Sequence, residues 1–293
     1  MKEINNKRNQ NRSRTPRRPG VLRELLKDPL GRLGVIGLTL IVLMALFAPL
    51  IAPYDVAEIH AKERLMAPCE KYIFGTDNFG RDIFSRILFG AQVSLIVGLV
   101  SVSIAAGLGF LLGIAAGYFE GKTESIIMMV MDILFAFPSI LLALLIVAAL
   151  GTSIVNTMIA IGIVNIPVFA RTVRAQVKSI KSIDYVSSAQ SIGIKDSAIL
   201  FRHIAPNALA SFTVQATLAL SGAILTEATM SFLGLGIQPP FPSWGSMLSE
   251  ARTYMEMAPW MVIFPALFIV LTILSFNLMG DALRDVLDPK LKL

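Results

Sequence analysis

The sequence predicts an all-α, polytopic membrane protein with six transmembrane helices and both termini on the inner side of the bilayer. Three observations carry this expectation. The 293 residues are 55% hydrophobic and only 16% charged, with a mean hydropathy of +0.69, a balance that a soluble domain of this size could not bury. Six apolar stretches, 33–52, 93–118, 126–150, 154–169, 208–232 and 259–279, come near or exceed the roughly 20 residues that cross a hydrocarbon core. Lys and Arg are unevenly spread: ten precede the first stretch, and 119–125, 170–207 and the C-terminal tail hold one, six and three, against five and one in 53–92 and 233–258. The positive-inside rule therefore gives an N-in, C-in topology, and the net charge of +6 reflects orientation, not nucleic-acid binding.

In chain order, residues 1–25 form a basic cytoplasmic tail. Lys7, Arg8, Arg12, Arg14, Arg17 and Arg18 are separated by Asn, Ser and Pro, so 1–20 reads as disordered. Residues 26–91 hold the first span and an outer segment. The span is long, and Pro49 and Pro53 stand where a signal-peptide cleavage site would need small residues, so it reads as retained. Residues 92–281 hold the other five spans, and 282–293 a second cytoplasmic tail. The second span is dense in small residues (Gly98, Ala105, Ala106, Gly107, Gly109, Gly113, Gly117), which predicts close packing against protein. Pro138 in the third span, and Asn165 and Pro167 in the fourth, interrupt helical hydrogen bonding as hinges or as kinks. Gly234, Gly236, Pro239, Pro240 and Pro242 force a bent outer segment after the fifth span. Trp244 there suits the membrane–water interface, and 246–255 fits a short helix across the outer mouth. That position suits a gate, a docking surface or a capping loop equally.

Composition excludes several chemistries. One Cys (Cys69) allows no internal disulfide, and with only His60 and His203 beside it a Cys/His metal site has no ligand set. Residues 116–123, ending Gly121-Lys122-Thr123, resemble a relaxed phosphate-binding loop, but a membrane helix stands where that loop needs a strand, and a polar turn is the better reading. Asp77 and Asp82 fall short of the oxygen ligands of a Ca²⁺ loop, so no metal is expected. Asp82 and Arg86 are spaced as an i,i+4 pair of small energetic weight on an outer surface. Asp132, early in the third span, and Glu227, late in the fifth, are the ionisable residues at membrane depth. Such groups mark a pathway or gate, or an interfacial tie to a neighbouring helix.

The segment 184–206, between the fourth and fifth spans, is too long for a turn. Asp184 suits a helix N-terminus, Gly193 the left-handed position that ends a helix, and Asp196 and Pro206 the bounds of a second short helix. Two short helices with Ser187, Ser188 and Ala189 on one side and Ile199, Leu200 and Phe201 on the other make a compact knob. The local pattern fits a docking element and a purely structural loop equally.

Asp184-Tyr185-Val186-Ser187-Ser188-Ala189-Gln190-Ser191-Ile192-Gly193, followed by Phe201-Arg202-His203-Ile204-Ala205-Pro206-Asn207, resembles the "EAA" loop of ABC importer permeases. Gly193 and Pro206 match its spacing. Ser187 stands in place of the usual Glu, Ser188 in place of the first Ala and Ala205 in place of Leu, so the Glu contact does not carry over to Ser187, whereas small-residue packing does. Three more segments resemble the "C"-type permeases of the dipeptide/oligopeptide/nickel group. They are Gly75-Thr76-Asp77 with Gly80-Arg81-Asp82 and Ser85-Arg86, the run from Glu227 to Gly236 with Gln238 to Gly245, and the C-terminal run from Phe276 to Pro289. The four motifs keep their order from about Leu25 onward.

The resemblance implies a type I ABC importer permease fold in a bacterial plasma membrane. This chain would pair with a homologous second permease to form a pathway for di- or oligopeptides. Two ATPase subunits would bind ATP and Mg²⁺ and dock on Asp184, Tyr185, Ser187, Ser188, Ala189, Gly193, Arg202, His203 and Pro206. An extracytoplasmic substrate-binding protein would meet outer residues including Asp77, Gly80, Arg81, Asp82, Arg86, Pro239, Pro240 and Trp244. Asp132 and Glu227 would serve the pathway or its gating. The chain itself would bind no cofactor and no nucleic acid and catalyse no covalent step. Nickel or a metal chelate is the alternative cargo. An ion-coupled secondary transporter would need midplane ionisable groups and internal repeats, and the sequence offers neither.

Overall fold

The computed structural model describes residues 21–287. The tail 1–20 and residues 288–293 lie outside the described residues. Four described helices are long and apolar enough to cross a bilayer, or up to six spans if each of two bent pairs counts as one.

Helix α1 (Pro29–Leu46) starts where Asp28 accepts the Gly31 N–H at 2.6 Å and Pro29 occupies the first turn. Helix α2 (Ile83–Tyr118) has 36 residues, about 54 Å at 1.5 Å per residue, so it outreaches a hydrocarbon core of about 30 Å. Residues 83–92 at its N-terminal end, with the segment 53–82, precede the apolar stretch that begins at 93. The third span is not one helix. α3 (Lys122–Phe135) and α4 (Ser139–Leu150) meet at 90°, because Pro138 lacks an N–H and disfavours helix at the residue before it.

Helix α5 (Ile154–Lys181), capped by Ser153, runs on past the expected end at 169. Its polar continuation is held by acids on the neighbouring turn and helix. Arg174 Nε and Lys178 Nζ each donate to Glu124 at 2.6 Å, and Lys181 lies 3.3 Å from Glu120. Helix α6 (Asp184–Ser191) ends at Gly193, whose φ of +78° is the left-handed turn the sequence implied. The second short helix differs from expectation. Asp196–Ile199 passes through a π-turn, Leu200–Ile204, straight into α7 (Ala205–Phe232). Pro206 does not end a helix. It lies in the first turn of α7, where its missing N–H costs nothing. Helix α8 (Trp244–Ala251) begins with a Ser243/Ser246 capping box, two residues before the expected start. Helix α9 (Trp260–Leu287) closes the bundle against α1 and α7.

The small residues of α2 do what their density predicted. A Cβ placed at Gly109, Gly113 or Gly117 would stand 2.4, 2.6 or 2.7 Å from the Cβ of Phe169, Val173 or Val177. One glycine per turn thus lets α2 and α5 approach backbone to backbone along a continuous seam. Gly31 and Gly34 of α1 do the same against α9.

Candidate functional site

The predicted residues fall in separate places. At the predicted inner end, α6 and the 193–204 turns form a knob. Val186, Ala189, Ile199 and Ile204 point inward and pack with Tyr118 of α2 and Val173 and Val177 of α5. Ala189 is only 7% exposed, so its small side chain serves the knob's own packing. The outward face carries Asp184, Tyr185, Ser188, Ile192, Gly193, Phe201, Arg202 and Pro206, with Ile192 and Phe201 each 77% exposed. The Ser187 side chain lies outside the described residues. His203 is half-buried beneath the Tyr185 ring, with 5.9 Å between centroids, and its carbonyl accepts the Asn207 amide at 2.6 Å. Asp196 does not merely start a helix: it accepts a hydrogen bond from the Tyr118 hydroxyl, while Lys181 Nζ donates to the Tyr118 carbonyl at 2.9 Å. The knob is thereby tied to the C-terminal ends of both α2 and α5.

At the opposite end, the Gly-Thr-Asp and Gly-Arg-Asp residues converge. The expected Asp82–Arg86 pair does not form. Asp82 caps α2, taking the Ser85 N–H at 2.8 Å and the Ser85 hydroxyl at 2.7 Å, because the free N–H groups of a helix start lie nearer than a side chain one turn on. Burial pushes the Asp82 carboxyl up, and the Ser85 bonds offset part of that. Arg86 turns instead to Glu250 of α8 at 3.4 Å and Asp77 at 3.7 Å. Arg81 bridges the same two acids at 2.5 Å each. Asp77 and Arg86 are each 3% exposed and Arg81 and Glu250 are partly exposed, so this is a half-buried four-charge cluster and not the surface pair expected. Gly80, at φ +82°, is required there, since a Cβ would stand 2.0 Å from the His60 carbonyl oxygen. Nearby, Glu63 accepts from Lys71 Nζ at 2.5 Å. That bond, with one from the Tyr72 hydroxyl, holds the Glu63 carboxyl down, and it pushes the Lys71 ammonium up to about 12.

Trp244 also departs from expectation. It is fully buried, not interfacial, and its indole N–H donates to the Ile87 carbonyl at 3.1 Å. Gly90 makes room, with its missing Cβ 3.1 Å from the ring. Pro239 and Pro240, joined by a cis peptide bond, lie in the bent segment that leads into α8.

The two ionisable residues at membrane depth have opposite surroundings. Glu227 is fully buried, and its oxygens accept the Ser94 hydroxyl at 2.9 Å and the Ser231 hydroxyl at 2.8 Å. Ser231 in turn accepts the Ile237 N–H, so Glu227 joins α7, α2 and the 233–243 loop. Asp132 is exposed and pairs with Arg171 Nη2 at 2.5 Å, with the guanidinium 4.2 Å from the Phe135 ring centre. Sequence reasoning missed Glu250 and Arg171 as partners. For Asp132 the available signal was an acid in an apolar stretch whose helix carries its cation, Lys122, only at the far end, which calls for one from a neighbour; nothing local marks Glu250. Among the described residues no group of three or more His, Cys, Asp or Glu could hold a metal ion.

The family described as "Binding-protein-dependent transport system inner membrane component" matches residues 109–293, and "N-terminal TM domain of oligopeptide transport permease C" matches residues 20–68. The chain is 48% identical over 270 residues to the dipeptide transport system permease protein DppC of Alkalihalophilus pseudofirmus, covering 92% of this chain and 89% of that protein. It is 48% identical over 254 residues to the glutathione transport system permease protein GsiD of Pectobacterium atrosepticum, covering 86% and 84%. An amino acid ABC transporter crystal structure shares the fold at a TM-score of 0.54 and 15% identity, over 67% of this chain and 91% of that one. The chain therefore belongs to the binding-protein-dependent inner-membrane components, as a multi-pass permease subunit of an ABC importer and not a catalytic subunit.

Proposed function

We propose that this permease forms, with a homologous second permease, a peptide pathway, N-in and C-in, driven by ATP bound with Mg²⁺ on two separate ATPase subunits. The observation that carries the coupling is the knob. It presents Tyr185, Ile192 and Phe201 outward while its inward face is fastened to α2 and α5 through Val186, Ala189 and the Tyr118–Asp196 bond. A partner seated on the outward face would move both helices together. Asp184, Tyr185, Ser188, Gly193, Arg202 and Pro206 form that contact, and the small Ala189 keeps the knob compact. Ser187 takes its place in the loop without the usual Glu contact.

At the outer end a substrate-binding protein docks over the segment braced by Asp77, Arg81, Arg86 and Glu250. Glu227 holds the outer ends of α2 and α7 to the gate loop, and Asp132 faces the pathway. Peptide cargo is favoured over nickel by the dipeptide and glutathione relatives. The test is uptake by proteoliposomes holding the complete importer. Dipeptide uptake should require ATP, the ATPases and the binding protein. Uptake on an ion gradient alone would overturn the reading.

A further inference from the structure

Helix α2 ends at Tyr118 and α5 at Lys181, and the knob's first helix starts at Asp184. The knob is continuous with α5 through residues 182–183 and with α7 through the π-turn, but its chain link to α2 runs back through α5, α4 and α3. What holds the knob to α2 is therefore noncovalent, and Tyr118 contributes both kinds of contact. Its ring, 5% exposed, lies in one apolar cluster with Val186, Ala189, Ile199 and Ile204. Its hydroxyl donates to Asp196, 78 positions on. Lys181 holds the same residue from α5: Nζ donates to the Tyr118 carbonyl at 2.9 Å and lies 5.3 Å from the ring centre.

The two contacts do different work. Apolar burial is non-directional, so the cluster holds the knob on without setting its angle. A hydrogen bond weakens steeply as its angle closes, and one to a carboxylate is about twice as strong as a neutral one. The Tyr118–Asp196 bond therefore fixes how the second short helix sits against α2. The glycine seam starts one residue away. Val173 and Val177 belong to the knob's cluster and also face the missing Cβ atoms of Gly113 and Gly117, at 2.6 and 2.7 Å. A displacement of the knob that keeps its angle thus passes into α2 and α5 as one body. We propose that Tyr118 is a positioning residue for coupling: through Asp196 it orients the knob on the α2–α5 pair, and so sets how much of each ATPase stroke becomes transport. The proposal rests on the docking reading above and adds residues that lie outside the docking face.

The test uses the complete importer in proteoliposomes with its binding protein, and reads alanyl-alanine taken up per ATP hydrolysed. Tyr118→Phe keeps the ring and removes the donor. It should retain the ATPases and hydrolyse ATP at close to the parent rate, while uptake per ATP falls by about tenfold, the scale of one lost hydrogen bond to a charged group. Asp196→Ala, at an exposed position, should do the same. Asp196→Asn, which keeps an acceptor oxygen, should hold most of the parent ratio. Adding Tyr118→Phe to Asp196→Ala should lower the ratio no further, since both remove one interaction. An unchanged ratio in Tyr118→Phe, loss of the ATPases from it, or equal losses in Asp196→Asn and Asp196→Ala would each overturn the positioning role. Should Tyr118→Phe fail to fold, the two Asp196 variants decide alone. Phe201→Asp is run alongside: retention of the ATPases there would refute the docking reading itself, separately from the role of Tyr118.

Discussion

Gly113→Ala should loosen the α2–α5 seam, and Gly107→Ala in the same helix should not. An added Cβ at 113 stands 2.6 Å from Val173 Cβ and 2.7 Å from the Ala170 carbonyl oxygen. Carbon–carbon contacts are optimal at about 3.5–4.0 Å, so the two helices must part by about 1 Å. Neither obstacle can swing away, since one is backbone and the other the branch point of a Val. At Gly107 no atom lies within 4 Å of the added Cβ. Both substitutions gain the same helix propensity, about 1 kcal/mol, so the difference between them isolates the clash. Overpacking of this kind costs about 1–3 kcal/mol. Gly113→Ala should therefore unfold more readily than Gly107→Ala by that amount in reversible titration with SDS in mixed micelles. Val173→Ala keeps its Cβ and should recover little of the loss in the Gly113→Ala background. Equal stability of the two glycine variants, within about 0.5 kcal/mol, would refute the close approach of α2 and α5.

Three further outcomes follow from the other sites. Glu250→Gln removes one anion from the cluster and leaves Arg86 with Asp77 alone, so the same titration should show a loss of about 1.5 kcal/mol, the low end for a hydrogen bond to a charged group; no loss would mean Arg86 finds water. Phe201→Asp, on the knob's exposed face, should abolish ATPase co-purification with little change in stability, whereas Ala189→Asp, in the inward face, should destabilise the permease itself; ATPase retention by Phe201→Asp would count against the docking face. In the outer segment, the folded state holds Glu63 below its ordinary 4.5, so its contribution is present above 4.5 and is lost as pH falls through the folded value. The same pair raises Lys71, so that contribution is lost as pH rises through about 12. Hydrogen-exchange protection of 61–76, corrected for intrinsic rates, should drop on the acid side, and Glu63→Gln should remove that pH dependence.

Much of the site was legible locally. Gly193 was readable as a helix end because only a left-handed turn suits a Gly between two short helices, and the α2 glycines were readable as a seam because one small residue per turn marks one face. Pro206 misled, since a proline ends a preceding helix and begins a following one with equal ease, and only the continuity of the π-turn into α7 decides which. Asp82 and Arg86 misled for a similar reason: their i,i+4 spacing is a fact of sequence, but a helix start with free N–H groups competes for the acid, and a distant Glu250 competes for the base. Trp244 has the same composition signal at an interface as in a core; burial depends on Gly90 and Ile87 of another helix.

By itself the sequence determined the membrane class, the number and order of apolar segments and the family, because hydropathy, charge count and motif spacing are properties of consecutive residues. Only the tertiary structure decided the partners of the charged residues. Asp132 with Arg171, Arg86 with Glu250 and Glu227 with Ser94 lie 39 to 164 positions apart, and such pairs are chosen by which helix faces meet, a choice no local pattern encodes.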